Sequence, residues 1–89
     1  MNRPKITKEQ RKAAMRDVMY AYKAQLVAKG KHIFASRHEI LGVLDEEYDE
    51  FKAKVHDNAT DTDVIDELLD IIVAAVHGIA SIKTGKTDW

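Results

Sequence analysis

The chain has no cysteine. A disulfide framework, a thiolate zinc site and a cysteine nucleophile are thereby excluded, and a reduced, cytoplasmic setting is expected. Proline occurs once, as Pro4, and the four glycines stand at 30, 42, 78 and 85. Long stretches are therefore free of helix breakers. Sustained strand-like alternation is missing as well, so the chain reads as all-α. No apolar run approaches the roughly 18–20 residues that cross a bilayer. Met1–Lys5 offers no apolar stretch of signal-peptide length, and no membrane partner is expected. Net charge is nearly absent: 14 Lys+Arg against 15 Asp+Glu give -1. Neither a dedicated DNA coat nor a wholly acidic mimic has this balance.

The balance hides a split. Residues 1–31 hold nine basic and two acidic side chains; residues 32–89 hold five basic and thirteen acidic. Eighty-nine residues make one domain, 1–89. A chain this short buries well under ~70% of its unfolded surface, so self-association, as a dimer or tetramer, would supply missing burial.

Three helices are expected, forming an antiparallel bundle completed by dimerisation. The first, basic helix covers 7–29. Thr7 with Gln10 has capping-box spacing, and Met15, Val18, Met19, Tyr22 and Leu26 form its apolar stripe. Gly30 is placed to end it in a left-handed conformation. The second helix opens on another box, Ser36 with Glu39. Leu41, Leu44, Tyr48, Phe51 and Val55 then recur at steps of 3, 4, 3 and 4, an a/d seam. His56–Asp61 reads as a loop. The third helix begins around Thr62 and ends at Lys83–Gly85, with Ile65, Leu68, Leu69, Ile72, Val76 and Ile79 as its core stripe. Val73, Ala74, Ala75 and Ala80 widen that stripe, so more than one face is expected to be buried. Lys86–Trp89 is a short tail.

Carboxylates carry the chemistry. Side chains three apart on a helix share a face, so Glu47 pairs with Glu50, and Glu67 with Asp70. Glu46 points nearly opposite the seam. If the two helices are antiparallel neighbours, the two pairs converge. Four anions in one place need a counter-charge, and a hard divalent cation with oxygen ligands, Mg²⁺ or Mn²⁺, answers that need. The same acids also read as a solvated face: fifteen in 89 residues yield many such pairs, Asp63/Asp66 among them.

Glu46-Glu47-x-x-Glu50, sixteen residues, then Glu67-x-x-Asp70, resembles the signature of the MazG-like all-α nucleotide pyrophosphohydrolases. The preceding Ser36-Arg37-His38-Glu39-Ile40-Leu41-Gly42-Val43-Leu44 is similar to small members found in phages and prophages. The resemblance covers residues 36–80. It implies Mg²⁺ on Glu47, Glu50, Glu67 and Asp70, with Glu47 and Glu50 as the catalytic carboxylates. It implies a nucleoside triphosphate as substrate, cut to monophosphate and pyrophosphate, and a homo-oligomeric working form. In one respect the chain departs from the family, whose members commonly continue into a further helix with lysine and asparagine near the substrate. Here only Lys83 and Lys86 follow Asp70 as basic residues, and no asparagine follows Asn58. Lys52, Lys54 or a helix-one base from a partner subunit could take the role.

Two rival uses stand beside hydrolysis. One is a non-catalytic helical nucleotide-binding or regulatory module that keeps the fold. The other is nucleic-acid binding through Lys8, Arg11, Lys12 and Arg16, against which the acidic half counts. His32, His38, His56 and His77 lack paired ligand spacing and read as loop, cap or surface residues, with His77 a weak candidate for a position beside the acidic site. Tyr20, Tyr22, Tyr48 and Phe51 read as core.

Overall fold

The computed structural model describes residues 2–89. It is all-helical: α1 spans Lys8–Lys29, α2 Arg37–His56 and α3 Asp61–Lys83. Among the described residues no helix is long and apolar enough to cross a membrane.

Each helix starts where a hydroxyl satisfies a free backbone N–H. Thr7 and Gln10 form a complete capping box. Ser36 accepts from the Glu39 N–H at 3.0 Å, but the Glu39 carboxylate reaches back to the Ala35 N–H at 2.7 Å instead of to Ser36. The second expected box is thus half formed and moved by one residue. Thr60 caps α3 through the Asp63 N–H at 3.2 Å, so α3 begins earlier than Thr62 and the connecting loop is shorter than His56–Asp61. Gly30 ends α1 with φ +87°, and its N–H bonds to the Leu26 carbonyl. Its ψ of −178° is extended, not left-handed helical.

Helix α3 lies between the other two; α1 and α2 make no close backbone approach. Tyr22 meets His77, and Lys29 lies near Asp70, so α1 runs antiparallel to α3. Ile40 meets Gly78, and Glu47 and Glu50 meet Glu67 and Asp70, so α2 is antiparallel to α3 as well. The α1 register sets Arg16 opposite Lys83, and the first two turns of α1 run past the end of α3. A Cβ on Gly78 would stand 3.1 Å from Ile40 Cγ2, so α2 passes close over α3 at that position.

The core is small. Val18, Val73 and Ala74 are its buried apolar residues, joined by Gly78 and Ser81. Of the expected main stripe of α3, Leu69 and Val76 are half-buried and the rest is not part of the intramolecular core. Ile65, Leu68, Ile72 and Ile79 are exposed, with Ile82, while the residues expected only to widen the stripe, Val73 and Ala74, are buried. On α2, Leu44 and Phe51 are half-buried, whereas Leu41, Tyr48 and Val55 are exposed. On α1, Met15, Met19 and Tyr20 are exposed, so neither Tyr20 nor Tyr48 is a core residue of one chain. The cause is geometric: α1 and α2 cover one side of α3, and among the described residues no element lies over the other.

The tail is more than an end. Asp88 N–H donates to the Ala35 carbonyl, and the Asp88 and Trp89 carbonyls accept from the Arg37 and His38 N–H groups, all at 2.8–2.9 Å. The tail therefore satisfies free donors in the first turn of α2. The Arg37 guanidinium stacks 3.8 Å from the Trp89 ring centroid.

Candidate metal centre and adjoining cavity

The antiparallel α2–α3 register brings the two carboxylate pairs together. One oxygen from each of Glu47, Glu50, Glu67 and Asp70 can be chosen so that all four lie within 4.8 Å of one another. Glu46 and Asp63 stand outside this group, Glu46 because it lies about 100° round α2 from Glu47. Helix geometry makes each pair, and helix packing makes the four.

Electrostatically the group is uncompensated. Glu47 Oε2 and Glu67 Oε2 are buried and accept no hydrogen bond. Burial, followed by the Glu50 and Asp70 carboxylates, pushes the Glu47 carboxyl up from 4.5 to about 7. Glu67 is raised by burial, then by Asp70 and Glu50; Asp70 is raised by burial, then by Glu50 and Asp66. Two lysines oppose these shifts from either flank, Lys54 at Glu67 and Lys29 at Asp70. Neither closes an ion pair; among the described residues the ion pair formed is Lys52–Asp49, at 3.6 Å, outside the cluster. Four carboxylates that share a few ångströms hold either a proton or a cation between them.

The donor set suits a hard divalent cation. All four ligands are carboxylate oxygens, which Mg²⁺ and Mn²⁺ prefer. Oxygens on one octahedral Mg²⁺, at bonds of about 2.1 Å, lie about 3.0 Å apart when adjacent and about 4.2 Å when opposite, so the four carboxylates would draw together around it.

A cavity of about 300 Å³ adjoins the cluster and shares Glu47 and Asp70 with it. Gln25 and Lys29 of α1, Val43 of α2, and Val73, Ala74 and His77 of α3 form its walls. Gly30, His32 and Phe34 of the α1–α2 connector close one side. That side is firmly tied. The His32 carbonyl can only accept, so His77 Nε2 carries the hydrogen of the 2.7 Å contact between them. In the neutral ring, Nδ1 then accepts from the Tyr22 hydroxyl at 3.0 Å. Phe34 packs edge-on against the same ring, 5.0 Å between centroids. Ser81, 1% exposed, accepts from the Phe34 N–H at 3.0 Å and donates to the His77 carbonyl at 2.7 Å. Thr87 donates to the Phe34 carbonyl.

Sequence reasoning missed this side of the site. His77, more readily expected as a loop, cap or surface residue, is a half-buried strut of the cavity on the same wall as Asp70, as the weaker reading beside the acidic site had it. Lys29 is a basic residue in the last turn of α1, and its place beside Asp70 follows from the α1–α3 register, which no local pattern encodes. Lys8, Arg11, Lys12 and Arg16 do not reach the cluster. They line a shallow groove on the outer face of α1 around Met15 and Met19. Compared with protein-family models, curated proteins and solved structures, the chain matches none of them.

Proposed function

We propose that the chain is a Mg²⁺-dependent nucleotide pyrophosphohydrolase, MazG-like in its carboxylate signature. Water and a nucleoside triphosphate would give the monophosphate and pyrophosphate. The observation that carries this reading is the convergence of Glu47, Glu50, Glu67 and Asp70 on one point with two buried, unpartnered oxygens. Bound there, Mg²⁺ or Mn²⁺ would neutralise the charge of the phosphates. Glu47 and Glu50 hold the attacking water and accept its proton as its oxygen bonds to the α-phosphorus. The bond from that phosphorus to the bridging oxygen breaks, and pyrophosphate leaves with the electron pair.

The working form in this reading is a homodimer. Ile72 and Ile79 stand about 200° round α3 from Asp70 and His77, so the exposed seam lies away from α1 and the cavity. Leu41, Tyr48 and Val55 of α2 face the same side, and together they make a two-helix apolar slab. The chain exposes 7285 Å². A compact monomer of its mass exposes about 5,300 Å². The excess, about 2,000 Å², is what one partner buries in an obligate dimer. Two slabs face to face make a four-helix bundle with both acidic sites open on its outer sides.

The direct test is incubation with a panel of ribo- and deoxyribonucleoside triphosphates and Mg²⁺, with pyrophosphate release as the readout. Turnover that disappears in Glu47→Gln is expected. Nucleotide binding by calorimetry without turnover would instead establish the non-catalytic binding module.

A further inference from the structure

The apolar stripe expected on α1 divides into two in the folded chain. Val18 turns inward and is buried. A second row, centred about 80° round the helix from Val18, runs Lys8, Lys12, Met15, Met19, Tyr22 and Leu26. Its steps are 4, 3, 4, 3 and 4, the recurrence of the a and d positions in a pair of helices. Tyr22 and Leu26 are half-buried. Lys8, Lys12, Met15 and Met19 are exposed and belong to the shallow groove on α1. The groove is thus the open half of a helix–helix seam, about 22 Å long from Lys8 to Lys23.

Charge decides what pairs with it. In such a seam the e and g positions flank a and d, and their charges select the partner. On α1 they include Arg11, Arg16 and Lys23, all lining the groove. The one acid at a flanking position, Glu9, does not line it. With Lys8 and Lys12 the groove has five cationic side chains and no anionic one. A second α1 would set these charges against one another. The α2 of a second copy does not fit either: its Leu41–Val55 seam is flanked by Asp45 and Glu47 over one half, but by Lys52 and Lys54 over the other. A nucleic-acid strand would engage the cations, yet Met15 and Met19 in the middle of the seam offer its bases no ring to stack on. Methionines suit the apolar side chains of another helix, to which they adapt.

We propose that this face of α1 docks one helix of another protein: an amphipathic helix of about two heptads, with large apolar residues against Met15 and Met19 and acidic residues on both flanks. The docking needs neither the metal nor turnover.

The experiment uses the full chain and a labelled three-heptad peptide with leucine at a and d, glutamate at e and g and alanine elsewhere. Binding is read by fluorescence anisotropy. The same composition with the leucines out of period, the peptide with lysine in place of glutamate, and single-stranded oligothymidylate are compared with it. The acidic periodic peptide should bind at least about tenfold more tightly than the out-of-period one. Met19→Glu, which sets an anion in the seam, should weaken it about a hundredfold, and Arg16→Glu with Lys23→Glu about tenfold, with helix content by circular dichroism kept. That double variant should also bind the lysine peptide, which the wild-type chain does not; a gain of binding cannot come from misfolding. The proposal is overturned if the out-of-period peptide binds as tightly as the periodic one, if oligothymidylate binds more tightly and displaces the peptide, or if the folded chain binds neither acidic peptide. A wild-type chain that sediments as a species larger than a dimer, and as a dimer in Met19→Glu, would give the groove to a second copy and overturn it as well.

Discussion

Helix α3 has two working faces, and they are built differently. Toward α1 and α2 it presents small residues, Ala74, Gly78 and Ser81, with polar groups interleaved. Backbones approach closely there, and hydrogen bonds from Ser81 and His77 fix the geometry. Away from them it presents Ile65, Leu68, Ile72, Ile79 and Ile82, large, purely apolar and exposed. The first face specifies a shape; the second supplies area. A chain of 89 residues has too little core to do both with one face, so it separates the tasks.

That comparison can be broken from either side. The largest effect is expected at the site. Glu47→Gln removes an anion from the cluster and should lower Mg²⁺-dependent pyrophosphate release at least about a hundredfold while the helix content by circular dichroism is kept. Ile72→Glu attacks the area-supplying face. It places a charge in the middle of the slab and should shift sedimentation equilibrium from dimer to monomer, a change of roughly 3 kcal/mol or more. A variant that stays dimeric would show that the seam is not the interface. Gly78→Leu attacks the shape-specifying face: its side chain meets Ile40 at once, and overpacking should cost about 2 kcal/mol in urea unfolding. The two faces are separable if Gly78→Leu leaves the association constant alone.

Acidity gives a smaller and more diagnostic effect. The Glu47 carboxyl is held up to about 7 in the fold against 4.5 in the unfolded chain. The folded state therefore binds this proton more tightly. The stabilisation is full below about pH 4.5 and is lost as pH rises through about 7. In chelator, Tm should fall between roughly pH 5 and pH 8, and Mg²⁺ should restore it at the upper end. A Tm that rises across this interval in chelator, measured by circular dichroism, would contradict the cluster as described. Smallest of all, Thr7→Ala removes the α1 cap at about 1 kcal/mol of local helix stability and should leave turnover as in wild type.

The helices were legible in the sequence because their signals are local. Thr7 with Gln10, Ser36 with Glu39 and the 3-4-3-4 recurrence on α2 need only a few residues of context. The pairing of Glu47 with Glu50 and of Glu67 with Asp70 is legible for the same reason. Which face of α3 turns inward is not. Hydrophobicity favours Ile65, Leu68, Ile72 and Ile79, yet the chain buries Val73 and Ala74, because small residues let α1 and α2 come close. A single sequence shows apolar faces without saying whether the same molecule covers them. The cavity walls were hidden by distance: Lys29 and Asp70, or Tyr22 and His77, meet only through the packing of two helices far apart in the chain.

The roof of the cavity has a consequence for the order of folding. Its fastenings join residues far apart in sequence: 47 positions between Phe34 and Ser81, 53 between Phe34 and Thr87. Helices and the short α2–α3 hairpin need no such loop closure and form early. The connector locks only when α3 is complete and the tail has arrived. It should be the last part of the molecule to gain protection from amide exchange and the first to lose it.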